Sequence, residues 1–496
     1  METSIEADEA TVGAIQSIRD RYEMRPDLAA CYGQERLPRY TSYPTAPHFS
    51  AGIGPGIYGD WLNAFPPHAS ASLYLHVPFC RSMCWYCGCH TSVARRDEPI
   101  AVYASALRCE IDLVSRQIGR RIKVDHIHFG GGTPTIMAPE LFADLIGSIR
   151  HCFFVLPTAE IAIEIDPRTL THRMVDALAY GGVNRASLGV QSFDPVVQRA
   201  INRVQSFDET AAATEGLRRA GISGVNFDLI YGLPHQTIAS CLDTVRRCVE
   251  LGPDRFSVFG YAHVPAFKKH QRRIDEAWLP DSLERHDQCH AIANALREAG
   301  YLQVGLDHFA LPDDEMAVAF RDGKLRRNFQ GYTTDNSDIL LGFGASAIGR
   351  LPQGYLQNEV GTRAYSESIA AGRLATVKGY ALTRDDRLRA EIIERIMCDF
   401  EVDLGPICAR HGSAPEAMLK SSPRLQNLIS DGVVELDGAS LALPDSSRFL
   451  VRSVAAAFER ISTDRSNCIA GRSSPWNHKS VLQSILRDGH FAASSG

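Results

Sequence analysis

Short apolar runs alternate with longer amphipathic stretches between residues 73 and 261. Six of these runs predict strands, namely Leu73–His76, His126–Phe129, Ile161–Ile165, Arg185–Val190, Val225–Ile230 and Phe256–Tyr261. The stretches between them predict helices, such as Ile100–Ile122 and Thr210–Ala220. Repeated strand–helix units imply parallel strands with helices on the outside. The pattern predicts an α/β fold built as an open, partial (β/α)6 barrel of the TIM type, with functional residues at the C-terminal strand ends.

The pattern changes after residue 380. Thr383 can cap a helix, whose predicted apolar face contains Leu388, Ile392, Ile393 and Ile396. Val433–Leu436 and Ser440–Leu443 predict a β-hairpin. Helices with such a hairpin resemble a winged helix, which suggests DNA binding. Residues 383–460 carry 10 Lys/Arg against 13 Asp/Glu, however, and that is the wrong sign for a phosphate backbone. We therefore interpret this part as a structural cover.

The chain divides into four predicted parts. Residues 1–70 form an N-terminal extension, 71–380 the barrel with an added segment, 381–461 a small helical, winged-helix-like domain and 462–496 a polar tail. The composition of the tail predicts disorder, apart from a short helix near Ser480–Arg487.

Composition and charge exclude several classes of protein. The 496 residues are 45% hydrophobic and 22% charged, as in an ordinary globular protein. A formal net charge of −6 gives no overall attraction to nucleic acid or to a membrane surface. No apolar run approaches the ~18 residues that a spanning helix needs. The acidic start, Met1 to Glu9, lacks the features of a signal peptide, so we expect a cytoplasmic protein.

Four cysteines lie within ten residues, shortly after the first predicted strand. Cys80, Cys84 and Cys87 have the spacing C-x3-C-x2-C, and Cys89 follows two residues later. Thiolates packed this closely repel one another, and a bound metal relieves that repulsion. A structural zinc site usually has two well-separated pairs of ligands, and disulfides are typical of secreted proteins. The spacing favours a 4Fe–4S cluster with three cysteine ligands and one open iron.

This stretch resembles the radical S-adenosylmethionine (SAM) enzymes, whose C-x3-C-x2-C loop follows the first strand of a barrel. The lead-in Tyr74-Leu-His-Val-Pro-Phe-Cys80 and the added Cys89 narrow the resemblance to the oxygen-independent coproporphyrinogen III oxidases of haem biosynthesis. The resemblance implies that Cys80, Cys84 and Cys87 bind the cluster. It also implies that Cys89 is not a ligand.

Polar or glycine residues follow the later strands as well. Gly130-Gly-Gly-Thr-Pro134 follows the second strand, and its glycines let the backbone approach a ligand closely. The third strand ends at Glu164, and Gln191, Asp228 and Ala262 lie at the ends of the next three. Each residue alone is more often a satisfied structural group. Their succession at neighbouring strand ends favours a binding site.

The resemblance implies two SAM molecules per chain. Residues that match the family's first SAM site are Tyr74, Gly131, Glu164 and Ile348. Residues that match the second site are Tyr86, Gly132, Thr133, Gln191, Arg203, Asp228 and Ala262. Ile348 lies in the glycine-rich run Leu341–Gly349, which could instead be a close-packed turn.

The resemblance also implies the reaction. A 5′-deoxyadenosyl radical made from SAM removes a hydrogen from the β-carbon of a propionate, and loss of CO2 and one electron leaves a vinyl group. Two propionates of coproporphyrinogen III react in this way and give protoporphyrinogen IX. The implied partners are this substrate and a reductant such as flavodoxin or ferredoxin, and the chain is expected to be a monomer.

The run Arg39-Tyr-Thr-Ser-Tyr-Pro-Thr-Ala46 precedes the barrel and is part of the resemblance. A loop on the surface is one interpretation. The other is a lid over the substrate, because a tetracarboxylate needs local basic and hydroxyl donors in an acidic chain, and Arg39, Tyr40 and Tyr43 are tentative candidates. The basic run Lys268, Lys269, Arg272 and Arg273 is interpreted as a solvated helix face rather than a substrate contact.

Three other functions compete with this interpretation. A haem-chaperone relative keeps the radical SAM core, but it typically lacks the Arg39–Ala46 run and has an aromatic residue at the position of Cys89. A haem-opening radical SAM methyltransferase belongs to the same group, and product analysis distinguishes it. A zinc-bound DNA regulator fits four cysteines and a wing, but the charge of the wing domain opposes it.

Overall fold

The computed structural model describes residues 28, 31, 32, 35, 37–420 and 422–460. The predicted tail 462–496, with its short helix near Ser480–Arg487, lies outside these residues.

Six parallel strands form the centre of the molecule. They are β1 Ser70–Val77, β2 Lys123–Gly131, β3 Phe154–Ile165, β4 Arg185–Gln191, β5 Gly224–Tyr231 and β6 Arg255–Gly260. Each strand pairs in parallel with the next in this order. The buried apolar side chains of these strands form most of the main core. The partial barrel is confirmed, and its strands overlap all six predicted runs.

Helices connect these strands and cover the outer face of the sheet. They are Glu98–Ile118, Pro139–Cys152, His172–Gly181, Pro195–Ala200, Phe207–Arg219 and Ile238–Glu250, preceded by Pro55–Asn63. In the first of them, Ile100, Leu107, Ile111, Val114 and Ile118 are all buried. Their spacing of three, four and seven residues places them on one helix face against the core.

The segment after β6 extends the sheet at both edges. Its helices are Ser282–Glu298, Glu315–Arg321 and Thr362–Ala370. Its strands are β7 Leu302–Val304, β8 His308–Ala310, β9 Arg326–Asn328, β10 Gly331–Thr333, β11 Leu340–Phe343, β12 Ile348–Leu351, β13 Gly354–Asn358 and β14 Thr376–Ala381. The sheet has twelve strands in the order β14-β13-β12-β11-β1-β2-β3-β4-β5-β6-β8-β7, while β9 and β10 pair separately.

The run Leu341–Gly349 contains strand rather than turn alone. β11 lies in parallel beside β1, and β12 returns antiparallel to it. A Cβ atom on Gly342 would lie 2.5 Å from the carbonyl oxygen of Ile348. The glycine therefore permits this close strand pairing, which brings Ile348 into the neighbourhood of Tyr74, the partner of Gly342 on β1.

The C-terminal part has five helices and a small sheet. The helices are Arg384–Asp399, Leu404–Arg410, Pro415–Lys420, Pro423–Ser430 and Val451–Ala456, and the strands are β15 Glu401–Asp403, β16 Glu435–Asp437 and β17 Ser440–Ala442. Thr383 and Asp386 form a capping box on the first helix. β16 and β17 form the predicted hairpin, and β15 pairs with β17. The winged-helix-like arrangement is confirmed.

Within the described ranges, no helix combines the length and apolar character that a bilayer span requires.

A buried carboxyl group joins the first barrel helix to the connection between β11 and β12. Glu110 accepts hydrogen bonds from the Gly344 N–H and the Tyr365 hydroxyl at 2.7 Å, and from the Asn358 amide at 2.6 Å. Burial raises the pKa of Glu110 to about 7, although these hydrogen bonds act to lower it. The folded carboxyl therefore holds its proton more tightly than the unfolded one.

This pKa predicts a pH-dependent contribution to stability. As pH rises from about 4.5 to about 7, the folded state must give up a proton that it binds more tightly, so the free energy of unfolding falls. The loss is on the order of 3 kcal/mol. The Glu110→Gln variant cannot ionise at this position, so we expect its free energy of unfolding not to fall with pH in this way. The variant is expected to be less stable than the wild type at pH 5, and this difference should become smaller at pH 8. Denaturant unfolding at both pH values measures it.

Glu215→Gln, at an exposed position on helix Phe207–Arg219, serves as the control and should keep the wild-type slope. A deficit for Glu110→Gln that is the same at both pH values would contradict the prediction.

Candidate active site at the C-terminal end of the barrel

The cysteine loop leaves the C-terminal end of β1 and is closed by its own backbone. Residues Phe79–Cys80 and Ser92–Val93 pair with each other as two short strands. The backbone N–H of Trp85 donates to the carbonyl oxygen of Ile201 at 2.8 Å, which attaches the loop to the end of helix Pro195–Ala200. The loop is therefore held in one conformation by hydrogen bonds that do not use its sulfur atoms.

The segment after β6 holds the same loop from the other side. Lys268 Nζ donates a hydrogen bond to the carbonyl oxygen of Cys89 at 3.0 Å. His270 Nε2 is hydrogen-bonded to the carbonyl oxygen of Cys87 at 2.7 Å. Gln271, which is fully buried, donates to the carbonyl oxygens of Tyr86 and Ala262 at 3.0 and 3.2 Å. The solvated-face interpretation of the basic run is wrong for Lys268. It holds for Lys269, Arg272 and Arg273, which are exposed.

Hydrogen-bond donors surround the sulfur atoms of Cys80 and Cys84. Cys80 Sγ lies 3.3 Å from Thr91 Oγ1 and 3.5 Å from Thr133 Oγ1. Cys84 Sγ lies 3.8 Å from Arg168 Nη2 and 3.7 Å from Arg203 Nη1. All of these cysteines are free thiols. Hydroxyl and guanidinium donors around sulfur stabilise negative charge on it, as an iron–sulfur cluster requires.

Two of the loop thiols have raised pKa values. Burial raises the pKa of Cys80. The pKa of Cys87 is raised by a hydrogen bond with Cys89 and by burial. Without a metal these thiols stay protonated, whereas coordination deprotonates them. The donor set is soft, all sulfur and confined to one loop, which fits a 4Fe–4S cluster better than a structural zinc ion. Cys89 lies beside Cys87, so proximity does not separate it from the three predicted ligands.

Next to the loop, the predicted first SAM residues form one connected group. Glu164 Oε2 accepts the Gly131 N–H at 3.0 Å. Gly131 has φ 114°, and a Cβ atom there would lie 2.6 Å from the His76 ring. The Tyr74 hydroxyl lies 2.9 Å from Nδ1 of the same histidine. The glycine turn therefore lies directly over β1, and only glycine leaves the space open.

Ile348 is at the rim of this group. Its side chain is buried with Phe49 and Tyr355, and its backbone adjoins Gly342 on β11. The structure thus brings Tyr74, Gly131 and Glu164 into contact, and places Ile348 on β12, which is separated from β1 by β11.

Arg203 is the centre of a second group. Its Nη2 donates to the Gly189 carbonyl oxygen at 2.6 Å and lies 3.5 Å from Asp166 Oδ1. A Cβ atom on Gly189 would meet Gln191 Nε2 at 2.9 Å and Arg203 Nη2 at 3.0 Å, so this glycine is needed for both side chains. Burial raises the pKa of Tyr86, while the charge of Arg203 acts to lower it and the charge of Asp166 acts to raise it.

Two polar atoms in this second group are buried without a partner. Arg203 Nε and Gln191 Oε1 make no hydrogen bond among the described residues. Water cannot readily replace the missing partners, because Arg203 is only 6% exposed and Gln191 only 8%. Leaving such a donor and acceptor unpaired costs ~1–3 kcal/mol each. A bound polar ligand that accepts from the guanidinium and donates to the amide oxygen would satisfy both. The group therefore offers one donor and one acceptor to a polar ligand.

The remaining predicted residues lie around these two groups. Thr133 donates to Cys80 as described, and Gly132 lies against Phe79, where a Cβ atom would come 2.5 Å from the backbone oxygen. Asp228 accepts hydrogen bonds from Ser187 at 2.9 Å and Asn226 at 2.8 Å inside the barrel. Burial raises the pKa of Asp228 to about 8, an effect that these hydrogen bonds reduce only in part and that the charge of Glu164 increases.

Several site residues were missed by sequence reasoning. Arg168 forms a 2.6 Å ion pair with Asp166, and Arg203 together with Arg168 lowers the pKa of Asp166 to about 2 against the effect of burial. His128 stacks on Tyr74 and lies 3.4 Å from Glu164. Side chains alternate between the two faces of β2, and this alternation could have indicated His128 as a site residue. The basic run pointed to Lys268 but not to its contact, and His270 and Gln271 gave no signal, because all three bond backbone carbonyl groups of the distant cysteine loop.

The predicted lid residues do not share one location. Tyr40 and Tyr43 are each 3% exposed and belong to the core of the C-terminal part. Tyr43 Oη accepts a hydrogen bond from the backbone N–H of Arg460 at 2.9 Å. Arg39 turns the other way, and its guanidinium lies 5.6 Å from the centre of the Phe259 ring near the end of β6. Of the three, only Arg39 reaches the barrel.

Comparisons with known proteins agree with this geometry. Residues 74–248 match the model of the radical SAM superfamily, and residues 382–450 match that of the HemN C-terminal domain.

The chain is also similar to characterised proteins along most of its length. It is 72% identical over 436 residues to the oxygen-independent coproporphyrinogen III oxidase of Bradyrhizobium diazoefficiens, covering 88% of this chain and 97% of that protein. It is 40% identical to the protein of that name from Pseudomonas aeruginosa, covering 85% and 93% respectively. Among solved structures, coproporphyrinogen III oxidase (HemN) from Escherichia coli matches with a TM-score of 0.81 at 38% identity, covering 86% of this chain and all of that one.

Proposed function

The chain belongs to the oxygen-independent coproporphyrinogen III oxidases of the radical SAM superfamily, and we propose how its own residues divide the work of that activity. The enzyme oxidatively decarboxylates two propionates of coproporphyrinogen III to vinyl groups and so forms protoporphyrinogen IX in haem biosynthesis. The observation that carries this function is the cysteine loop at the C-terminal end of β1. Thr133, Arg168 and Arg203 contact the sulfur atoms of this loop.

The radical SAM family requires a 4Fe–4S cluster and SAM. We propose that Cys80, Cys84 and Cys87 hold the cluster and that Cys89 does not. When bound, the cluster would supply the electron for the reductive cleavage of SAM, and SAM would supply the group that takes a hydrogen atom from the substrate propionate. The two guanidinium groups at Cys84 offset the negative charge of the thiolate ligands.

The first SAM is proposed to bind Tyr74, Gly131, Glu164 and Ile348. Glu164 is fixed by the Gly131 N–H, so its second oxygen is positioned to accept from an ammonium or from ribose hydroxyl groups. Tyr74, with its bond to His76, forms the floor of this site. A rigid floor holds the reacting groups in one orientation, which is the main contribution of a protein to cofactor chemistry.

The second SAM is proposed to bind Tyr86, Gly132, Thr133, Gln191, Arg203, Asp228 and Ala262. The unpaired Arg203 Nε and Gln191 Oε1 support this assignment. Because Arg203 also reaches Cys84, the guanidinium joins the two sites and sets the position of one relative to the other.

The parts that cover the site exclude water from it. Lys268, His270 and Gln271 close one side of the cysteine loop, and Arg39 approaches from the segment before the barrel. Excluding solvent prevents loss of a reactive radical to side reactions. This arrangement supports the lid hypothesis for Arg39 but not for Tyr40 and Tyr43, which are core residues.

We further propose that a small reductant such as flavodoxin or ferredoxin delivers the electron to the exposed side of the loop, where Arg81 and Ser82 reach solvent. The enzyme is proposed to act as a monomer. A cytoplasmic location stays a prediction from the sequence.

An anaerobic assay tests the function. Purified protein with a reconstituted cluster, a chemical reductant, SAM and coproporphyrinogen III should yield protoporphyrinogen IX and two equivalents of CO2. The product is read as protoporphyrin fluorescence after oxidation, and omission of SAM serves as the control. Release of CO2 that does not depend on SAM, or methyl transfer to the porphyrin, would contradict the proposal.

A further inference from the structure

A small cavity lies between the segment before the barrel and the end of β6. Its volume is about 10 Å³, and it is lined by Arg39, Thr41, Phe259, His308, Arg327 and Gln330, among others. That is the space of one water-sized group, so a tetrapyrrole ring cannot enter. One carboxylate oxygen at the end of a side arm is a group of this size.

Arg327 presents an unused donor in this cavity. Its Nε and Nη2 donate to the carbonyl oxygens of Tyr40 and Arg39 at 3.2 and 3.1 Å, and its guanidinium stacks 4.2 Å above the Tyr332 ring. Nη1 is buried and has no partner among the described residues, while Arg327 as a whole is 9% exposed. An arginine fixed on three sides with one N–H group unpaired is arranged to bind an acceptor that is not yet there.

Arg39 supplies a second guanidinium to the same cavity. It lies over the Phe259 ring and makes no side-chain hydrogen bond within the described part of the chain. Burial lowers the pKa of Arg39, and the charges of Arg452 and Arg327 lower it further, although Asp307 acts against them. The two nearby guanidinium charges therefore destabilise each other, and an anion between them would relieve this repulsion.

The cavity contains one compensating acid. Asp307 is hydrogen-bonded to His308 Nδ1 at 2.8 Å. Burial raises the pKa of Asp307, but the hydrogen bond and the charges of His308, Arg327 and Arg39 outweigh it and lower the pKa to about 2. Two guanidinium groups against one carboxylate leave an excess positive charge. That charge matches one further carboxylate.

We propose that Arg39 and Arg327 bind the carboxylate of one propionate of coproporphyrinogen III that does not react. This inference rests on the proposed function. Four propionates distinguish this substrate, and two of them remain in the product. A site for one of the unreactive arms fixes the orientation of the ring, so that the reacting arms face the cluster end of the barrel. Arg39 and Arg327 are therefore positioning residues.

The test measures binding separately from chemistry. Affinity for coproporphyrin III and for its neutral tetraamide is measured by fluorescence quenching on the cluster-loaded protein, for the wild type, Arg39→Gln, Arg327→Lys and the control Arg246→Gln. Arg246 is on the exposed face of helix Ile238–Glu250. We expect Arg39→Gln to bind the tetracarboxylate 10- to 100-fold more weakly, to bind the tetraamide as the wild type does, and to raise KM more than it lowers kcat.

Arg327→Lys retains the charge but not the planar fork, so it should lose part of the affinity for the tetracarboxylate and none for the tetraamide. Because Arg327 also supports the backbone of Arg39 and Tyr40, the Arg39→Gln variant decides the outcome if Arg327→Lys folds poorly. Wild-type affinity of Arg39→Gln for coproporphyrin III would overturn the inference. So would weakened affinity combined with accumulation of a tricarboxylate product, which would mean that the pair binds a reacting arm.

The proposed function is judged by a different result. If the wild type fails to decarboxylate coproporphyrinogen III, the function falls whatever the binding data show. If the wild type turns over and Arg39→Gln binds normally, only the carboxylate site falls. Cluster content and SAM binding of each variant, measured in the same preparation, should equal those of the wild type.

Discussion

Replacing Cys84 with serine should abolish both the 4Fe–4S absorption band and protoporphyrinogen formation. Cys84 is the most buried of the four loop cysteines, and its sulfur lies between the guanidinium groups of Arg168 and Arg203. Serine offers a hard oxygen ligand in place of a soft thiolate, and an alcohol is not deprotonated readily in a buried site. Cys80→Ser and Cys87→Ser should lose the cluster as well. Iron and sulfide analysis after anaerobic purification measures the loss.

Cys89→Ser is the matched control because it lies in the same loop and beside Cys87. We expect it to retain three-ligand cluster binding and most of its turnover, since one iron must stay open for SAM. If Cys89→Ser lost the cluster as fully as Cys84→Ser, the assignment of three ligands would be wrong, and a site with four thiolates and no open iron would have to replace it.

The second large effect is expected at Arg203. The Arg203→Ala variant should keep its cluster but lose turnover by roughly 100-fold or more, because it removes the group that orients one SAM relative to the other. The cluster should survive because Arg168 still pairs with Asp166 and still contacts Cys84. Equilibrium dialysis with labelled SAM should give two molecules per wild-type chain and one per variant chain.

Arg199→Ala, four residues earlier and exposed, is the control and should bind two SAM molecules. One molecule bound at saturation by the wild type would remove the basis for a second site. Two molecules bound by Arg203→Ala would show that this guanidinium is not needed for SAM, and the lost turnover would then need another cause.

Much of the fold could be predicted because its signals are local. Each barrel strand is a short apolar run that pairs with the next such run in the chain, and the cap at Thr383 is a short motif. β11 was harder to predict, since its parallel partner β1 lies some 270 residues earlier in the sequence. The glycine of β11 allows close strand pairing, but the sequence alone does not show which distant strand is the partner.

The site divides in the same way. The predicted cluster ligands and the glycine turn follow directly from strand ends, so their closeness in space was predictable from the sequence. The supports of the cysteine loop were missed, because Lys268 and His270 bond backbone oxygens about 180 residues away. Tyr40 and Tyr43 show the opposite error. Their hydroxyl groups suggested contact with substrate, but an aromatic ring is mainly an apolar surface, and here burial in the C-terminal core decides its position.

The burial of Tyr40 and Tyr43 among residues 388–458 also orders events during synthesis. The ribosome makes the N-terminal segment first, yet the core that receives it is completed about 400 residues later. At ~5–20 residues per second, this interval is roughly 20–80 s. All six barrel strands and the cysteine loop are synthesised before that core is complete, so Arg39 takes its final place only after the loop has been made. Delivery of iron and sulfide to the loop therefore has a period, before translation ends, in which the segment that carries Arg39 is not yet anchored.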